Sequence, residues 1–82
     1  MELKNYLMNE LSYFEFTELP DTLGTSLNRC TRILKNPGTM TQPEIMAIAK
    51  MVQKNPGELV HEFGCGKETI TVTDMETLTA ML

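Results

Sequence analysis

The sequence predicts an all-α domain of five helices, with a short strand and a helical turn or two appended at its C-terminal end. Three observations carry that prediction. Apolar residues recur at spacings of three and four through most of the chain, as on the buried face of a helix. The stretches that carry them are bounded by capping residues, prolines and glycines in the positions that start and stop helices. Alternation of period two, the signature of a strand, is confined to residues 68–73.

In chain order, Glu2 to Phe14 places Leu3, Tyr6, Leu7, Met8, Leu11 and Phe14 on one amphipathic stripe, which predicts the first helix. Thr17 to Gly24 reads as a short second helix, with Pro20 tolerated in its first turn and Gly24 closing it in the left-handed conformation. Thr25 or Ser26 can cap the third, which runs from Leu27 to Lys35 and stops at Asn36-Pro37-Gly38. Cys30, Ile33 and Leu34 form its inner face, so that Asn28, Arg29, Thr31, Arg32 and Lys35 share a polar, basic and acid-free outer face. Thr41 caps a fourth helix with Ile45, Ile48, Ala49 and Val52 at helical spacing, the most apolar part of the chain. Asn55-Pro56-Gly57-Glu58 matches an N-cap, a proline at the first helical position and a capping-box glutamate, opening a fifth helix through Leu59, Val60 and Phe63 that ends at Gly64-Cys65-Gly66. Beyond it, Ile70 and Val72 alternate with threonines as in a strand, and Thr73-x-x-Glu76 is a capping box leading into Leu78, Met81 and Leu82. Lys-Asn-Pro-Gly occurs at both 35–38 and 54–57 in different surroundings, which is shared turn chemistry and not a duplication.

Two helices joined by a tight turn at Gly24, the second polar and basic outside, form a helix-turn-helix unit. The run from Leu23 through Gly24, Thr25, Ser26 and Leu27 to Leu34 resembles the turn and recognition helix of Cro and phage-repressor (lambda-repressor-like) DNA-binding domains. The likeness continues through Ile45-Met46-Ala47-Ile48-Ala49-Lys50-Met51-Val52 and Asn55-Pro56-Gly57-Glu58-Leu59, covering about residues 16–60 without a gap. Three positions depart from it: Phe16 stands where the family has a phosphate-binding Gln, Pro20 where Ala is usual, and Gln53 where Gly follows the fourth helix. The resemblance implies a transcription regulator of phage or mobile-element type. Its base-facing residues would be Ser26, Leu27, Asn28 and Arg32, with Thr25, Thr31, Lys35 and Asn36 toward phosphates or the groove wall and Lys50 and Lys54 more distant. The residue types fit that assignment, since Asn reads adenine, Arg reads guanine and Leu can meet a thymine methyl.

Other classes find little support. A chain of 82 residues has surface enough to bury for one core, so residues 1–66 read as the DNA-binding domain and 67–82 as an appendage. No apolar run reaches the roughly 18–20 residues of a membrane span, and no signal-like segment follows Met1, which predicts a cytoplasmic protein with no membrane partner. Cys30 and Cys65 are too few for a disulfide scaffold and lack Cys or His partners at metal-binding spacing. His61 has no carboxylate, Cys or Ser placed to form a catalytic set, there is no phosphate-binding glycine loop, and the seven methionines mostly fit helix-packing positions. The expectation is a protein without metal, cofactor or enzymatic activity.

A net charge of -4 opposes nucleic-acid binding at first sight, because Lys and Arg supply most phosphate affinity. Its distribution reverses that inference. Residues 22–57 hold five basic residues against Glu44 alone, whereas residues 1–21 and 58–82 each hold five acids and one Lys. One such domain reads only about 4–5 base pairs, so the expected working unit is a homodimer on double-stranded DNA, with the apolar tail as its dimerisation element. A second reading keeps the fold but makes it a protein-interaction module or an antitoxin, docking a basic partner on the acidic flanks. Phe16 and the negative total charge favour it; the acid-free third helix opposes it.

Overall fold

The computed structural model describes residues 2–69, and these fold as α-helices connected by short turns, with no strand among them. The helices are α1 (Leu3–Glu10), α2 (Tyr13–Thr17), α3 (Leu19–Leu23), α4 (Leu27–Lys35), α5 (Gln42–Val52) and α6 (Pro56–Phe63), with a 3-10 turn at Pro37–Thr39. Among the described residues no helix is long and apolar enough to cross a membrane.

The single first helix expected over Glu2 to Phe14 is instead two. α1 ends at Glu10, Leu11 is extended, and Ser12 caps α2. The Ser12 hydroxyl oxygen accepts from the Glu15 amide at 3.1 Å, and Glu15 Oε1 accepts from the Ser12 amide at 2.9 Å. This capping box satisfies two backbone donors at a new helix start and so breaks the apolar stripe that runs across it. Leu3, Leu7 and Leu11 are buried, while Phe14 beyond the break is 70% exposed; Met8, also expected on the stripe, lies within α1 but beside its buried Leu3 and Leu7 face and is 55% exposed. Phe16, which stands where the resembled family has Gln, lies within α2 and packs half-buried against the core.

Only Glu18 separates α2 from α3, which has Pro20 in its first turn. Gly24 closes α3 at φ +66°, with its amide bonded to the Asp21 carbonyl and the Thr25 amide to the Pro20 carbonyl. That double closure of a helix end needs a left-handed residue, which glycine supplies without a Cβ clash. Ser26 then caps α4 through Arg29, which settles the choice left open between Thr25 and Ser26.

The core gathers Leu3 and Leu7 of α1, Leu11, Leu19 of α3, Cys30 and Ile33 of α4, Ile45, Ile48 and Ala49 of α5, and Leu59 and Val60 of α6. Met40 and Cys65, from the segments flanking the helices, complete it. α5 is central, packing on both α3 and α6, while α4 packs on α1, α3 and the 3-10 turn. Tyr6 and Phe63 stack with ring centres 5.0 Å apart, and Lys54 Nζ lies 4.9 Å from the Tyr6 ring centre and 3.3 Å from Glu62, joining α1 to α6. Asn55 caps α6 by accepting from the Gly57 amide at 2.8 Å, the bond expected to involve Glu58 in a capping box.

After α6, Gly64 ends the helix and the chain turns back along the loop that follows α4. The Gly66 amide donates to Pro37 O, the Glu68 amide to Gly38 O, and the Thr69 hydroxyl to Met40 O. Glu68 and Thr69, expected to begin a strand, therefore belong to a turn; Ile70, Val72, the Thr73-x-x-Glu76 box and Leu78, Met81 and Leu82 lie outside the described residues.

Gln53 caps the C-terminal end of α5 at φ +55°, the one non-glycine residue at positive φ among those described. A left-handed L-residue costs ~1–2 kcal/mol, of which glycine's greater unfolded-state freedom takes back part. Gln53→Gly should therefore raise stability by ~0.5–1 kcal/mol, visible as a rise of a few degrees in melting temperature; an unchanged or lower melting temperature would mean that the side chain compensates for its backbone.

Candidate nucleic-acid interface

The surface singled out by the sequence is the outer face of α4. Its register is set from within: Cys30 and Ile33 are buried and Leu34 is half-buried against the core. The opposite side of the helix then carries Asn28, Thr31, Arg32 and Lys35, at spacings of three and four, and all four are exposed. Leu27, in the first turn, is 70% exposed, and Ser26 and Asn36 are exposed at the two ends. Thr25, in the turn, is half-buried. The eight residues expected to act together thus lie along one helix, its two caps and, for Thr25, the turn before it.

Their hydrogen bonding leaves most of this face available. Among the described residues, the side chains of Asn28, Arg32 and Lys35 make no hydrogen bond. The Thr31 hydroxyl donates to the Leu27 carbonyl at 2.9 Å, and the Ser26 oxygen accepts from the Arg29 amide at 3.1 Å, which leaves the Ser26 hydroxyl proton free to donate outward. Arg32 and Lys35 lie in the last turn, where the helix dipole favours cations, so the charge that equips the face also stabilises the helix.

Arg29 departs from the expected arrangement. Counted on the outer face by its polarity, it turns instead toward α5. Its Nε donates to Glu44 Oε2 at 3.2 Å and its Nη2 to Glu44 Oε1 at 2.9 Å and to the Thr39 carbonyl at 2.7 Å. Glu44 Oε1 also accepts from the Thr41 amide at 2.8 Å and from its hydroxyl at 3.1 Å. The buried Glu44 carboxylate therefore caps α5 and holds α4 through Arg29, and Arg29 ties in the 3-10 turn. Two sequence signals point to this brace: Thr41-x-x-Glu44 is a capping-box spacing, and Glu44 is the sole acid of the basic stretch 22–57. Arg29 also adjoins Cys30 and precedes Ile33 by one turn, at the edge of the buried face.

The more distant lysines separate. Lys50 is exposed on α5, whereas Lys54 is held by Glu62 and Tyr6 and is not free to reach outward. Burial pushes both thiols up, Cys30 with help from the Glu44 charge and Cys65 to about 11, so both stay protonated and weakly nucleophilic at neutral pH. Among the described residues no cluster of His, Cys, Asp and Glu could hold a metal ion.

No protein-family model, curated protein or solved structure matches this chain.

Burial works to raise the Glu44 pKa, but the bonds from Arg29 and Thr41 outweigh it and hold the carboxyl below the usual glutamate value. Its ionisation stabilises the fold fully above the unfolded value of about 4.3, and that stabilisation is lost as pH falls through the lower, folded value. Glu44→Gln should lower the melting temperature at neutral pH and flatten its fall on acidification. A variant that loses stability on acidification as steeply as the parent would place the controlling carboxylate elsewhere.

Proposed function

We propose that the chain is a sequence-specific DNA-binding regulator of the phage-repressor type, with α3, the Gly24 turn and α4 as its helix-turn-helix and α4 as the recognition helix. The observation that carries this reading is the exposed, acid-free face of α4, where Asn28, Arg32 and Lys35 project without partners among the described residues. The order of helices agrees with the five-helix family when α2 and α3 count as one second helix interrupted at Glu18. In this reading Ser26, Leu27, Asn28 and Arg32 meet base edges, while Thr25, Thr31, Lys35 and Asn36 meet phosphates or the groove wall. Nothing in the reading calls for a cofactor or a catalytic step.

A second reading, a protein-interaction module or antitoxin, is favoured by a different observation. Tyr13 and Phe14 at the start of α2 are 86% and 70% exposed, and Met8 of α1 is 55% exposed, with Glu10 and Glu15 close in sequence. Large apolar side chains interleaved with acids suit a basic, amphipathic protein partner.

Sites selected from a random DNA pool, followed by affinity measurements across a salt series, test the first reading. Arg32→Ala should weaken binding to the selected site by ~1–3 kcal/mol, roughly fivefold to 150-fold, with melting unchanged. Lys35→Gln should weaken selected and random DNA alike and reduce the salt slope by about 1. Parent-like binding by Arg32→Ala would remove α4 from the interface.

The working unit we infer is a homodimer on two half-sites about one helical turn apart, joined through residues 70–82. Glu68 and Thr69 are bonded to the loop after α4, so the informative truncation falls after Thr69. The truncated chain should sediment as a folded monomer with much weaker DNA binding. A full-length chain that sediments as a monomer both free and on DNA would remove the dimer.

A further inference from the structure

Beside the exposed face of α4 lies a groove of about 380 Å³ between α1, α2, α3 and α4. Phe16, Leu19, Leu27 and Leu34 form its apolar walls, and Lys4 and Lys35 line it from α1 and from the end of α4. Although the first 21 residues carry five acids, none of them lines this groove. Both lysines are exposed and neither is ion-paired among the described residues; the adjoining groove, which they also line, carries Glu2 and Glu62.

Volume and chemistry narrow the occupant. Small-molecule sites run from roughly 300 to 1,000 Å³ and are mostly apolar, with a few polar groups that fix orientation. At the lower end of that range the groove suits a small ligand; its walls hold no side-chain amide or carboxylate, and the two hydroxyls among them, Thr17 and Thr31, already donate to the Phe14 and Leu27 carbonyls. An apolar wall paired with two ammonium groups selects a molecule that has a hydrocarbon body and one anionic head.

We propose that this groove binds a free, monomeric fatty carboxylate, its hydrocarbon chain against Phe16, Leu19 and Leu34 and its carboxylate between Lys4 and Lys35. Leu27 and Lys35 belong to both the groove and the outer face of α4, so the bound ligand covers the one and neutralises the other. If α4 reads DNA as proposed above, occupancy and DNA binding exclude each other, and the ligand acts as an inducer.

The test is a titration of the full chain, followed by backbone amide shifts, with decanoate, decanol and decyltrimethylammonium, each below its micelle concentration. Decanoate should saturate, with the largest shifts at Phe16, Leu27, Cys30 and Leu34, and should bind more tightly than decanol and decyltrimethylammonium. Replacing both lysines (Lys4→Gln with Lys35→Gln) should weaken decanoate roughly threefold to tenfold while leaving decanol unchanged. Equal affinity for the three probes, shifts scattered over the surface, or groove amides that stay fixed because residues 70–82 or nothing at all occupy the site would each overturn the proposal. DNA release is read separately: decanoate should displace a selected site from the parent but much less from the double variant. A chain that binds decanoate in the groove but no DNA would refute the proposed function and leave the ligand site standing.

Discussion

The Glu44 carboxylate is the constraint on which the arrangement of the other elements depends. It is buried with a negative charge, a state that folding tolerates only when donors surround it. Here the donors come from two elements: Nε and Nη2 of Arg29 from α4, and the amide and hydroxyl of Thr41 from the start of α5. Arg29 in turn reaches the Thr39 carbonyl, so the loop between the two helices closes into the same network. With Arg29 held on the α5 side and Cys30 and Ile33 in the core, α4 has a single rotation open to it. That rotation is what turns Asn28, Thr31, Arg32 and Lys35 outward. The brace also removes one of the three cations of α4 from the surface, so the face that remains carries two. A face so weakly charged gains little non-specific phosphate affinity, which is why the reading of α4 as a recognition helix leans on a second copy of the chain.

The parts of the fold legible in the sequence are those written in local chemistry. Gly24 and Ser26 delimit the α3 to α4 turn because positive φ and an N-cap oxygen are properties of single residues; Gly24 falls where the sequence places it, and Ser26 is one of the two caps the sequence allowed. The buried faces of α4, α5 and α6 follow from periodicity for the same reason, and Ile48 in the most apolar helix is fully buried. The break at Leu11 and Ser12 was equally local, yet the spacing of three and four carries on through it from Leu7 to Leu11 to Phe14. Periodicity cannot distinguish one long helix from two short ones whose apolar residues keep the same count. The Ser12-x-x-Glu15 box was the discriminating signal, because a capping box places a helix start inside the stripe.

What stayed hidden is tertiary. The paired Lys-Asn-Pro-Gly segments illustrate the limit. In both, Asn precedes a Pro that begins a helical turn, which local chemistry explains. Gly38, however, is buried under the returning chain, where a Cβ would stand 2.7 Å from Glu68 Oε2, whereas Gly57 serves the Asn55 cap. No local rule tells which glycine the chain will later cross. Arg29 is the same case within the candidate site. The Thr41-x-x-Glu44 spacing marks Glu44, but which cation of α4 it takes is decided only when Glu44 arrives from 15 residues downstream and meets Arg29.

The electrostatics of the candidate interface follow from dimensions as well as from sequence. The molecule measures 33 × 23 × 23 Å, and charges in physiological salt are screened over about 8 Å. Two faces on opposite sides are thus separated by more than two screening lengths, and a polyanion at one face responds mainly to the charges within reach of it. The acids near the two ends of the sequence fix the net charge of -4, whereas the exposed face of α4 itself bears Arg32 and Lys35 and no acid. The groove beside it is lined by two lysines and no acid, while Glu2 and Glu62 line the adjoining one. Because Lys35 serves both surfaces, its charge cannot be satisfied by two anions independently. An anion bound to it in the groove would leave the α4 face with one of its two cations, so that the two surfaces, if both bind anions as proposed, oppose each other through one side chain.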